Sequence, residues 1–170
     1  MEYKASLDTV AKIVTAVTVI LFFVIGYRSI KVLTLLQSNK ASMLIYGGLL
    51  LLFVVIIIGC FLFSPQYYKV DNNYLTIVRP VKNKTVKLTD IDNIRSLEKD
   101  EMSGVIRTFG VGGLFGYFGK YYYPKIGNMT FYTTQKRNRI LIETRQGQNL
   151  IITPDDQSII ENIKGKAGIK

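Results

Sequence analysis

The side chains best suited to covalent chemistry are scarce in this chain. Histidine is absent, which removes Ser-His-Asp and Cys-His catalysis, imidazole general bases and most zinc sites. The one cysteine, Cys60, sits inside a long apolar run, so neither an intramolecular disulfide nor a cysteine metal site is available. Carboxylates remain. Glu98, Asp100 and Glu101 crowd one polar stretch and have the chemistry to hold a cation or pass a proton. Adjacent acids in a polar loop are ordinarily just solvated, however. Glu143 and Asp90 have no second group at a spacing that would make a catalytic pair. The chain therefore reads as a non-enzyme, with no cofactor and no metal expected.

Phosphate binding fails a closer reading too. From 108 to 127 the sequence is TFGVGGLFGYFGKYYYPKIG, six glycines among a dense set of aromatics. The dinucleotide pattern G-x-G-x-x-G begins at Gly110 and Gly112 but meets Phe115 where the third glycine belongs. The P-loop pattern meets Leu114 at its leading glycine and Tyr121 after Gly119-Lys120. What remains is surface chemistry. In one reading the glycines allow a bulged, sharply bent strand with Phe115, Phe118 and the tyrosines packed beneath it. In the other, Val111, Leu114, Phe115, Tyr117 and Phe118 form an exposed apolar tip. Lys120, Tyr121, Tyr122, Tyr123 and Lys125 then lie at headgroup level, as aromatic belts do. A protein partner on the same patch is a third reading. The packed reading is preferred, because a patch this apolar is unusual on a soluble surface.

Charge adds a second kind of candidate. The formal net charge is +10, and residues 64–170 hold 17 of the 22 Lys and Arg with 10 of the 12 acids. Lys136, Arg137 and Arg139 form a basic turn between two strand-like runs, either a charged hairpin tip or a contact for anionic lipid. Nucleic acid is the other standard partner of a basic domain and is not favoured here, because of where the domain is held.

The elements that must position these groups begin with Ala41 to Phe63, ASMLIYGGLLLLFVVIIIGCFLF, without a charged side chain. As a helix it covers about 34 Å, against a bilayer core of about 30 Å. A second span covers about 6–28, its one interior cation, Lys12, near enough to the start to snorkel. Glu2 and Asp8 occupy what would be a basic n-region, and Gly26-Tyr27-Arg28-Ser29 offers no A-x-A-like cleavage site, so a retained helix is expected rather than a signal peptide. The link from Tyr27 to Lys40 is too short for a domain, which makes residues 1–64 a two-helix transmembrane hairpin with both ends on one side. Lys and Arg number six on the terminal side and three in the loop, which predicts a cytoplasmic domain on the inner membrane.

After Ser64-Pro65 the period changes. Tyr67–Val70, Tyr74–Val78, Thr85–Leu88, a run near Ile94–Leu97, Met129–Thr133, Arg139–Thr144 and Asn149–Thr153 read as about seven strands, the last two joined at Gly147. Thr153-Pro154-Asp155-Asp156 reads as a helix start, Ile159, Ile160 and Ile163 as its apolar stripe, and Gly165 as its stop. Residues 65–170 are thus an antiparallel β-barrel or sandwich closed by one C-terminal helix.

That order of elements resembles the bacterial pleckstrin-homology (PH)-like membrane proteins. The likeness rests on Tyr67-Tyr68-Lys69-Val70 with Tyr74-Leu75-Thr76-Ile77, on the glycine-rich segment from Gly110 to Gly119, and on Arg139–Thr144 running through Gly147 to Thr153-Pro154-Asp155-Asp156. It spans about 67–164. It implies an interaction module for lipid or protein, without catalysis. Eukaryotic relatives of the fold grip phosphoinositides with basic residues between their first strands. Here Arg79, Lys82, Lys84 and Lys87 occupy a comparable stretch, and bacteria commonly lack such lipids, so anionic headgroups in general are implied. The leading expectation is a membrane-anchored PH-like module touching anionic lipid, a protein partner or a second copy of itself. The alternative is an accessory structural subunit of a larger membrane complex, with Gly47, Gly48 and Gly59 allowing close helix approach.

Overall fold

A computed structural model describes residues 1–35, 40–98 and 100–169. Two helices, α1 (Thr9–Leu35) and α2 (Lys40–Phe63), run side by side. Within them Thr9–Val32 and Ala41–Phe63 contain 18-residue stretches of mean hydropathy 2.3 and 2.8, in which 6% and none of the residues are buried. Both are long and apolar enough to cross a bilayer. Helices with so few buried residues and so many exposed Leu, Ile, Val and Phe side chains are not buried as core helices are. The helices are antiparallel: Phe22 packs on Phe53 with centroids 4.9 Å apart, and Gly26 leaves room for Leu50. α1 starts at Thr9 rather than near residue 6, because Asp8 caps it. Its carboxylate accepts the Ala11 N–H at 2.7 Å, and its carbonyl accepts the Lys12 N–H.

The rest is mainly β. A four-stranded antiparallel sheet has the order β1 (Glu2–Lys4), β2 (Tyr67–Val70), β3 (Tyr74–Val78), β4 (Lys84–Lys87). A six-stranded sheet is built from β5 (Ile91–Ser96), β6 (Ile106–Gly113), β7 (Gly116–Tyr123), β8 (Gly127–Thr133), β9 (Ile140–Thr144) and β10 (Asn149–Ile152), in the order β5-β9-β10-β8-β7-β6. One pair, β8 with β10, is parallel. α3 (Ile159–Ala167) closes the barrel, with Ile159 and Ile163 wholly buried.

The described residues form ten strands where the sequence reading finds about seven. β1 precedes the first helix, yet it pairs with β2 in the register Tyr3↔Tyr68. Residues 2–4 therefore belong to the barrel's sheet, and the helical hairpin is tied to the barrel at both ends. The glycine-aromatic segment supplies two full strands rather than one bent one.

The helix end also departs from expectation. Thr153 does not cap a helix. Its hydroxyl accepts the Thr134 N–H at 3.0 Å and its own N–H goes to the Tyr68 hydroxyl at 3.1 Å. The Asp155 carboxylate takes up the Ser6 backbone N–H and hydroxyl. α3 begins five to six residues later and stops at Gly168, φ 67°, instead of Gly165.

Two cores follow from strand alternation. Ile140, Ile142, Leu150 and Ile152 face the four-stranded sheet and α3, with Tyr68, Leu75, Ile77, Leu88 and Ile94. Leu141 and Ile151 face the other way, into a cluster with Leu97, Met102, Tyr121, Tyr123, Met129 and Phe131. β9 and β10 are therefore buried on both faces, which explains their unbroken apolar runs.

Candidate functional site

The candidate residues gather at the end of the barrel from which α1 and α2 leave. Three segments build that end: the β3–β4 connection at 79–83, the tip of the β6–β7 hairpin, and the β8–β9 connection at 134–139. Strand direction alone brings the first and third there. β3 ends at Val78 and β9 begins at Ile140 on the side of the helix ends, while the 71–73 and 145–148 turns lie at the other end.

The two strands of the hairpin come unusually close at one pair. Gly110 and Gly119 face each other with φ of +124° and +130°. A Cβ on either would lie 2.3 Å from the opposing backbone oxygen, of Phe118 or Phe109. Only glycine fits this conformation and this spacing. The tip lies on the helices. The Phe115 N–H donates to the Thr15 hydroxyl of α1 at 2.9 Å, and the Phe115 ring meets Phe61 of α2 edge-on at 5.5 Å. Gly113 lies against Val14.

Asp8 locks this arrangement. Besides capping α1, its carboxylate accepts the Tyr117 hydroxyl at 3.1 and 3.3 Å and the Lys136 N–H at 3.1 Å. Burial first, and the nearby Asp8 charge second, push the Tyr117 hydroxyl up to about 12, so it remains a donor. Lys136 closes over the Tyr117 ring, Nζ to centroid 5.3 Å. Burial lowers the Arg139 guanidinium from its ordinary value, against the opposing influence of Tyr117, Tyr121 and Asp8.

On the α2 side the Val81 N–H donates to the Leu62 carbonyl at 3.2 Å. Arg79 lies between two rings, 5.8 Å from the centroid of Phe63 and 5.4 Å from that of Tyr132. Its Nε is buried and has no hydrogen-bond partner. Between the last turns of α2 and the outer face of β6–β7 runs a groove of about 580 Å³, with Val55, Ile56, Gly59, Cys60 and Phe63 on one wall and Phe109–Val111 with Phe118–Lys120 on the other.

The candidates thus sort by position. Tyr117, Phe118 and Tyr121 are each less than a tenth exposed. They pack inside the chain, as in the packed reading, and the Tyr121 hydroxyl donates to the Val111 carbonyl. Leu114 and Phe115 are half-buried, Phe115 against the helices, while Lys120 is exposed and donates to Thr130. The exposed aromatics of this segment are Phe109, at 78%, and Tyr122, at 41%. Lys82, Lys136 and Arg137 are exposed, and Arg79, Lys84 and Arg139 are half-buried. The described residues hold two ion pairs, Lys69–Asp71 and Arg95–Glu101, and neither uses a candidate cation.

The acidic cluster has structural work. Glu101 accepts Arg95 at 2.7 Å and the Glu98 N–H at 3.0 Å, and these contacts, the backbone one first, lower its carboxyl from the ordinary value. The Asp100 side chain lies outside the described residues. No group of three metal-ligating side chains occurs among the described residues.

Sequence reasoning missed Asp8, Thr15 and Phe109. An acid just before an apolar helix is a cap signal, and that was the one available clue to Asp8. A family model described as a bacterial PH domain matches residues 66–167, which leaves β1 and both long helices outside the match. No curated protein and no solved structure matches the chain.

Proposed function

Because the chain belongs to the bacterial PH domain family, we propose that it is a membrane-anchored, non-enzymatic interaction module. In this reading α1 and α2 cross the bilayer and hold the barrel, on the cytoplasmic side, with its basic loops at the headgroups. One observation carries it: the helix ends and the cationic loops converge on the same end of the barrel. Arg79, Lys82 and Lys84 lie beside the exit of α2, and Lys136, Arg137 and Arg139 beside the entry of α1. None of them is neutralised by an ion pair within the described residues. Each cation close to an anionic leaflet is worth about 1 kcal/mol, so six give a substantial, salt-dependent attraction. Phe115, packed on Phe61 near the end of α2, adds an apolar contact.

Hydrogen exchange of the full chain in nanodiscs tests this. Added protection at 79–84 and 136–139 is expected in phosphatidylglycerol-containing discs relative to phosphatidylcholine discs, and is lost at high salt. Identical exchange in the two would defeat the lipid reading. The alternative, an accessory subunit of a larger membrane complex, draws on the open apolar cleft between the helices, lined by Phe22, Phe23, Gly26 and Leu50. Native mass in mild detergent discriminates, since a lone monomer counts against it.

A further inference from the structure

We propose that the groove between α2 and the β6–β7 hairpin holds one anionic glycerophospholipid, its phosphate on Arg79 and Lys120 and an acyl chain along α2. The inference rests on the reading of α2 as a membrane span and goes beyond it by naming one site and one occupant.

The polarity of the groove follows the polarity of a lipid in a leaflet. Its α2 wall is one helix face at i, i+1, i+4, i+5 and i+8, from Val55 to Phe63. That face descends about 12 Å from the helix end into the apolar span. The cations sit at the opposite, outer end: Arg79 packs on Phe63, the last residue of α2, and Lys120 is held by Thr130. Among the described residues no acid lines the groove. Its volume of about 580 Å³ is within the roughly 300–1,000 Å³ typical of ligand sites.

The second observation is the Arg79 guanidinium. It is fixed between the Phe63 and Tyr132 rings, yet its buried Nε–H has no acceptor. Nε itself is closed off by its surroundings, so a phosphate in the groove meets the terminal guanidinium nitrogens of this groove-lining residue, whose fork matches it. The third is the emptiness of the walls. Gly110 and Gly119 are glycine for backbone reasons, but Gly59 is not: a Cβ there meets nothing within 4 Å. The helix simply leaves space facing the hairpin, and the groove is not closed by its own side chains.

The test is native mass spectrometry of the full chain, released from detergent after incubation with phosphatidylglycerol or with phosphatidylcholine of the same acyl chains. One phosphatidylglycerol per chain is expected, retained at least tenfold better than phosphatidylcholine. Arg79→Gln with Lys120→Gln should remove the preference. Gly59→Leu, which fills the groove and leaves both cations, should abolish retention of either lipid while near-UV circular dichroism stays unchanged. Carbonate extraction of the same membranes separates the two levels of the argument. A chain that resists extraction and keeps its fold but retains neither lipid, or both equally, overturns the site while the membrane reading stands. A chain released by carbonate overturns both.

Discussion

Replacing Asp8 by alanine removes three contacts that join three parts of the molecule. The carboxylate caps α1 at the Ala11 N–H, accepts the buried Tyr117 hydroxyl and accepts the Lys136 N–H. Loss of the cap costs about 1 kcal/mol. Hydrogen bonds to a charged acceptor are worth about 1.5–3 kcal/mol each, an amount reduced here because Asp8 is half-buried and the three are not additive. The expected loss is about 2–4 kcal/mol in the unfolding of the barrel, a fall in Tm of roughly 5–15 °C. The chain has no tryptophan, so the transition is followed by near-UV circular dichroism of its tyrosines in detergent. Asp8→Asn keeps an acceptor oxygen and should lose less than half as much. Tyr117→Phe made with Asp8→Ala should show a coupling of about 1–2 kcal/mol. A loss below about 0.5 kcal/mol, or strict additivity with Tyr117→Phe, would refute the idea that Asp8 ties hairpin to helix.

Gly119→Ala forces an alanine to φ +130° against the Phe109 oxygen. At least about 1–3 kcal/mol of strain follows, and hydrogen exchange should show the tip released from Thr15. Ile163→Ala empties a wholly buried position of α3 and should cost about 2–5 kcal/mol in chemical unfolding. Tyr68→Phe leaves the Thr153 N–H without an acceptor, at about 1–3 kcal/mol. Alkali gives a further check. Burial raises Tyr68 to about 12, and burial with Asp8 raises Tyr117 to about 12, above the usual value of about 10. Between those values the unfolded chain has released protons that the folded one keeps. Stability contributed by both is therefore present below about pH 10 and falls as pH rises toward 12. Tyr68→Phe should flatten that fall in a pH series of unfolding midpoints.

Where one local signal dominated, the sequence was easy to read. Twenty-odd apolar residues have few fates, so both long helices and their antiparallel order follow from hydropathy and a short link. The β2–β3 and β9–β10 hairpins follow from apolar runs around Asp71-Asn72-Asn73 and Gly147. What was hidden depended on distant partners. β1 is three residues without a pattern of its own, and only Tyr67–Lys69 make it a strand. β6 and β7 were masked by glycines that lower strand propensity but are required where Gly110 meets Gly119. Thr153 and Asp155 have the chemistry of a helix cap but are engaged by Thr134, Tyr68 and Ser6 instead. The site was legible as composition, since basic residues near the spans were evident. Its organiser was not: Asp8 acts on residues more than a hundred positions away.

The central claim is that the basic loops of the barrel lie at the bilayer surface while its far turns do not. Spin labels placed singly at Lys82, Arg137, Asn73 and Gln146 in a Cys60→Ser background test it in nanodiscs that carry a nickel-chelating headgroup lipid. Strong relaxation is predicted for labels at 82 and 137, with little at 73 and 146. Equal relaxation at all four positions, or the reverse order, would contradict the account.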